Sequence, residues 1–135
     1  MKLLMIYCER FNFTPTLKTL ENAPNAIAGG MTDVVAGFIH VEPEDTSVTG
    51  KVTTKLVKNL KWLAGKNGTQ RILLHSFAHL SDSKAEPLAS KAILDRAQER
   101  LETAGFEVAQ TPYGYFNDLD IKAPGHPLAR VFKSL

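Results

Sequence analysis

Cysteine is almost missing from this 135-residue chain. The one present, Cys8, can form no internal disulfide and fits a reducing cytoplasm. A single thiol also leaves no Cys/His spacing that matches a zinc site, and His75 and His79, four apart across an expected strand end, are poorly placed as a helical metal pair. No metal and no cofactor is therefore expected. No Walker loop or dinucleotide fingerprint follows the first apolar run, and Ser76 and Ser81 lack the G-x-S-x-G setting of an elbow nucleophile. No stretch approaches the roughly 20 apolar residues of a membrane helix. The apolar run from Met1 to Tyr7, closed by Cys8-Glu-Arg10, is too short for a signal peptide. The net charge of +2 is small for a dedicated nucleic-acid binder, although a protein that meets only the end of an RNA needs little more. Repeats, low-complexity tracts and internal linkers are also missing. With 44% apolar and 22% charged residues, the chain should fold as one domain with a real core.

What the chain does hold is concentrated in two patches. Thr111 to Arg130 carries two of the three tyrosines, three of the seven prolines, two glycines and one of the four histidines. Aromatics beside Gly and Pro suit backbone that turns tightly next to a concave surface. The second patch, His75-Ser-Phe-Ala-His79-Leu-Ser81, closes an apolar run.

Periodicity supplies the framework. Lys2 to Cys8 reads as a buried first strand, and Arg10 to Leu20, around Pro15, as an edge strand folding back on it. Asn22 to Gly30 reads as a loop and Thr32 to Val41 as a third strand, in which Gly37 marks a bulge or a close backbone approach. Val52, Leu56, Leu60 and Leu63 predict a helix over Thr49–Lys66 that Asn67-Gly68 ends. On its other side, Lys51, Lys55, Lys58 and Lys61 form a stripe that reads as a solvated face or as a phosphate-contacting one. Gln70 to Phe77 is a fourth strand, so His79 falls just past the C-terminal end of a central strand. A second helix should run to Ala104, starting either from a capping box at Ser83–Glu86 or at Pro87. Phe106–Gln110 and Tyr115–Lys122 complete the strands, with Asp118, Asp120 and Lys122 on one solvated side. This order gives an α+β (mixed α/β) fold with both helices on one sheet face.

Considered singly, the polar candidates stay ambiguous. His79 reads equally as a loop histidine and as a functional one, and His126 as a turn side chain. Tyr113 and Tyr115 could be core aromatics or a platform for a base.

Three motifs in order, Phe77-Ala-His-Leu-Ser81, Pro112-Tyr-Gly-Tyr115 and Gly125-His-Pro-Leu-Ala129, together resemble the N-terminal editing domain of archaeal threonyl-tRNA synthetases. The likeness runs the length of the chain. It implies a single domain over residues 1–135 with a mostly antiparallel sheet, a D-aminoacyl-tRNA deacylase-like fold and a homodimer. It also implies hydrolysis of the ester in seryl-tRNA(Thr), by a domain that is free-standing or part of a synthetase. The alternatives are a module that only binds tRNA or dimerises, and a deacylase of shifted specificity. Carried over by position, Ala78 and His79 would line the aminoacyl pocket, Tyr113 would sit near the adenine, and Val41 and Glu42 near the entry. Backbone around Gly114, Tyr115 and Phe116 would hold the ester. Where the family pattern has Lys and Glu, this chain has Asn117 and Arg130, which could be partners across the site. Asn117 could hold a water; Arg130 stays protonated and cannot act as a base. The Pro112–Tyr115 and Gly125–Ala129 segments would then be two walls facing the His79 loop.

Overall fold

A single strand, β1, occupies Lys2–Lys18 in the computed structural model, which describes residues 1–135. The expected reversal near Glu9 does not occur, because β1 has partners on both edges. One edge pairs antiparallel with β2 (Gly29–His40) from Lys2↔His40 to Phe13↔Gly29. The other is shared: β6 (Arg130–Ser134) takes Lys2 to Ile6, and β5 (Tyr115–Lys122) takes Arg10 to Lys18. Pro15 is tolerated because β2 no longer pairs there and the β5 register shifts between Pro15 and Leu17. β2 starts before the expected Thr32, inside the loop expected over Asn22–Gly30, and Gly29 and Gly30 enter the ladder with the Phe13 and Asn12 side chains lying across them.

The sheet continues through β3 (Arg71–Ser76) and β4 (Glu107–Gln110), both parallel to their neighbours, in the order β4-β3-β2-β1-β5 with β6 beside the start of β1. It is thus mixed: the antiparallel part lies around β1, and the parallel part carries the two helices. α1 occupies Thr49–Lys66 as its apolar spacing predicts. α2 occupies Pro87–Thr103, and the capping box is not its start. Glu86 makes no side-chain cap bond and sits in an extended conformation, as a residue before proline prefers.

Both helices cover one sheet face. Leu3, Met5, Val35, Ile39, Ile72 and Leu74 from the strands meet Leu56, Leu60 and Leu63 of α1 and Ile93, Leu94 and Leu101 of α2. Gly37 marks a close approach and not a bulge: a Cβ there would sit 3.0 Å from Leu60 Cδ2. Cys8, Phe11, Val34, Ala36, Phe38 and Leu73 form a second buried cluster. The side chains of Asp118, Asp120 and Lys122 are exposed as expected, and so are Lys51, Lys55, Lys58 and Lys61 on α1.

Short bonds lock the chain's first residue in place. The Met1 ammonium is fully buried, 2.8 Å from Glu42 Oε1 and 3.0 Å from Asp45 Oδ1. The hydrogen bond from that ammonium holds the Glu42 carboxyl below its ordinary range.

Candidate functional site

Between β3 and α2 the chain makes a loop, residues 77–86, that is fastened to the C-terminal end of β2. Phe77 N–H donates to Ile39 O at 2.9 Å and Ala85 N–H to Val41 O at 3.0 Å. Between these two bonds stands His40, 1% exposed. Its Nδ1 accepts Leu80 N–H at 3.0 Å, and its Nε2 lies 2.7 Å from the Ser83 carbonyl oxygen. A backbone N–H only donates and a carbonyl only accepts, so the ring carries its proton on Nε2. Ser81 Oγ donates to Glu42 at 3.0 Å. The His40→Ala variant should lose about 2 kcal/mol of stability, from two partly buried hydrogen bonds. It should also speed exchange of the Leu80 amide at least tenfold while β1 amides stay protected. Unchanged exchange at Leu80 would show that the ring is not what holds the loop.

This loop forms one wall of a cavity of about 320 Å³ at the C-terminal ends of β2, β3 and β4. In sheets with parallel strands this is where ligands collect. The opposite wall is the β4–β5 turn and the start of β5, from Thr111 to Asn117 and Leu119, with Thr19 and Leu20 completing the rim. Gly114 makes that wall possible. Its φ is +84°, and its carbonyl accepts the Thr19 N–H at 2.7 Å. Tyr113 Oη donates to Pro87 O at 3.0 Å and Tyr115 Oη to Pro24 O at 2.6 Å, so both rings are tethered at their tips. Lys91 Nζ lies 5.8 Å from the Tyr113 ring centroid.

Two histidines serve the cavity differently. His75 is buried against Phe38 and Phe11, and its Nδ1 lies 2.8 Å from Thr111 Oγ1. Burial first, and the nearby His79 second, lower its pKa to about 4. His79 is exposed and packs on the edge of Phe77, with ring centroids 4.9 Å apart. No serine or cysteine is hydrogen-bonded to either ring, so the activated-nucleophile pattern does not arise. The arrangement can enclose a ligand, and neither ring is set to activate a serine or cysteine.

Most of the expected residues meet here. Val41, Ala78, His79, Tyr113, Gly114, Tyr115, Phe116 and Asn117 all line the one cavity. Glu42 does not; its carboxylate is taken up by Met1, Ser81 and, at 3.7 Å, Lys2. Arg130 does not either. It opens β6 opposite Ile6, whereas Asn117 pairs with Pro15. Those two positions on β1 are about 30 Å apart at the rise of an extended strand. The Arg130 guanidinium donates to Pro124 O at 3.0 Å instead. Arg130 and Asn117 are therefore not partners, and Gly125–Ala129 is not a cavity wall. Asn117 is also less available than expected: Nδ2 donates only to Tyr115 O at 3.4 Å, and Oδ1 is buried without any partner. In this conformation Oδ1 is closed to water, and it can hold one only after the amide turns. Among the lining residues that were missed are Lys84 of the loop and Pro87 and Ser90 of α2. Lys84 lay inside a stretch that read as a helix cap, so no local signal set it apart.

Comparison with known proteins identifies the family. Residues 1–135 match the family described as the archaea-specific editing domain of threonyl-tRNA synthetase. The whole chain is 31% identical to threonine–tRNA ligase of Thermococcus kodakarensis and spans 22% of it. The ligase of Nitrosopumilus maritimus is 29% identical over 98% of the chain, again across 21% of its own length. The chain thus spans about a fifth of the curated relatives it matches. A solved structure named c-Myc DNA unwinding element binding protein superposes with a TM-score of 0.70 at 11% identity, covering 100% of this chain and 99% of that one. That likeness shows the fold alone, a single α+β domain with a mixed six-stranded sheet and two helices. By its full-length match, this chain belongs to the archaea-specific threonyl-tRNA synthetase editing-domain family.

Proposed function

We propose that this domain hydrolyses the ester of mischarged seryl-tRNA(Thr) at the 3′-terminal adenosine. The observation that carries the proposal is the convergence of Ala78, His79 and the run Tyr113–Asn117 on one cavity at the strand ends. In this reading the tethered tyrosine ring of Tyr113 offers a face to the adenine, Ala78 and His79 line the aminoacyl pocket, and Val41 stands near the entry. Water adds to the ester carbonyl, the bond from that carbon to the ribose oxygen breaks, and the ribose oxygen takes up the proton. The neighbouring 2′-hydroxyl of the RNA assists, which suits a cavity without an activated protein nucleophile. The physical need is a second sieve: one methylene separates serine from threonine poorly at the synthetic step, so the smaller product is removed afterwards.

Partners follow from the same reading: the 3′ end of an aminoacyl-tRNA, a threonyl-tRNA synthetase body in cis or in trans, and a second copy of the domain in a cytoplasmic homodimer. Exposed Phe132 and Leu17, at 52% and 63%, offer apolar surface for that second copy. No helix is long and apolar enough to cross a membrane.

A second reading, a module that binds the 3′ end without turning it over, draws on Asn117. The cation that the family pattern has at this position is replaced by a neutral, inward-closed amide, and Arg130 does not restore it. Loss of one electrostatic stabiliser costs roughly 100- to 1,000-fold in rate. Deacylation of seryl- and threonyl-tRNA(Thr) decides between the two. The expected result is release of serine with threonine spared, and a faster rate in Asn117→Lys. No release of either at high enzyme concentration would leave the binding reading, and preferential release of another amino acid would indicate shifted specificity.

A further inference from the structure

We propose that Lys84 is the phosphate anchor of this cavity, holding the phosphodiester immediately 5′ of the terminal nucleoside, an inference that rests on the 3′-end reading above. Of the residues that line the cavity, only Lys84 is a lysine or arginine, and none is an aspartate or glutamate. Its ammonium joins none of the ion pairs of the chain. The neighbouring acids Asp82 and Glu86 are exposed and are not among the lining residues.

The backbone on either side is fixed while the side chain is not. Ser83 O is held by His40 at 2.7 Å, and Ala85 N–H by Val41 O at 3.0 Å. A rooted, unpaired, exposed ammonium at a cavity rim is built for an anion that keeps part of its hydration. The phosphodiester of an RNA end is such an anion, whereas the ester carbonyl lies deeper and carries no full charge in the ground state. The ring wall from Tyr113 takes the base, the region around Ala78 takes the aminoacyl group, and the backbone phosphate leaves past Lys84.

The test is titration calorimetry with two stable probes: 3′-deoxy-3′-(serylamino)adenosine, and the same compound carrying a 5′-phosphate. The phosphorylated probe should bind the native domain about fivefold more tightly. That advantage should vanish in Lys84→Ala and Lys84→Gln and return in Lys84→Arg, while affinity for the unphosphorylated probe stays constant throughout. Against seryl-tRNA, Lys84→Ala should raise KM with kcat kept, and should flatten the salt dependence of kcat/KM by about one phosphate contact. Equal affinity of the native domain for both probes would overturn the assignment alone. So would a loss in Lys84→Ala that is the same for both probes, which would place the ammonium at the aminoacyl end. Binding of neither probe would overturn the assignment and the 3′-end reading together.

Discussion

Gly114→Val should lower the stability of the domain by about 3 kcal/mol, roughly 10 °C in midpoint temperature, and should leave little activity. Two effects add. The backbone at this position has φ +84°, where a β-branched L-residue is strained by about 1–2 kcal/mol. A Cβ would also stand 3.0 Å from Ala23 Cβ and 3.3 Å from Leu20 Cβ, so the chain preceding β2 must give way. Relief could come only by moving the Gly114 carbonyl off Thr19 N–H, which opens the rim of the cavity. Gly114→Ala meets the same contacts with less bulk and should cost about half as much. A valine variant whose midpoint moves by less than about 2 °C would show that this turn is far more compliant than its contacts indicate.

The second large effect is on pH. As the pH falls from 6.5 to about 4, the domain should lose about 3 kcal/mol of stability through His75 alone. The sign follows from proton uptake. In the unfolded chain the imidazole takes a proton near its ordinary value of 6.5, while in the fold it stays neutral until about 4. Between those values unfolding binds a proton, so acid favours it; above 6.5 the slope from His75 fades over about one pH unit. His75→Phe keeps a ring among Phe11, Phe38 and Phe77, and pairing it with Thr111→Val removes the hydroxyl that would otherwise be left unpaired in a buried place. Urea unfolding at several pH values should show the slope between 6.5 and 4.5 in the native domain and its near-disappearance in the double variant. A double variant with the native slope would assign it to another group. The carboxyls held low, Glu42 and Asp95 among them, lose their contribution only as pH falls below their ordinary values and so act further into acid.

Much of this fold could be read locally, and the limits have a physical pattern. The helix over Thr49–Lys66 announces itself by the period of its apolar residues, because it buries one face, and β3 by an unbroken apolar run, because Ile72 and Leu74 are buried on one side of the sheet and Leu73 on the other. The start of α2 at Pro87 was one of two local options, settled by the extended backbone that proline imposes on Glu86. β1 was misread because nothing between Cys8 and Arg10 records that two later strands will share its outer edge. β6 carries only Val131 and Phe132 as apolar residues, too few for a strand pattern by themselves. The cavity was legible as a set of motifs, and eight of the ten expected residues line it: Val41, Ala78, His79 and the run Tyr113–Asn117. Glu42 and Arg130 fell outside because motif order says nothing about which edge of β1 a segment joins. Lys84 was invisible for the converse reason: an ordinary lysine becomes distinctive only when the walls around it are known.

The divided edge of β1 also bears on how the domain is made. β2 can pair with the first strand soon after both are synthesised, but Lys2 and Ser134 are 132 residues apart, and β6 closes the remaining edge last. Until then, a nascent chain carries an open strand edge beside Leu4 and Ile6, available to any neighbouring chain with a strand to offer. Closure of the sheet is therefore a late, long-range event, slow by topology and not by any unusual residue. Within this domain, the strand that comes first in the sequence is the one whose pairing finishes last.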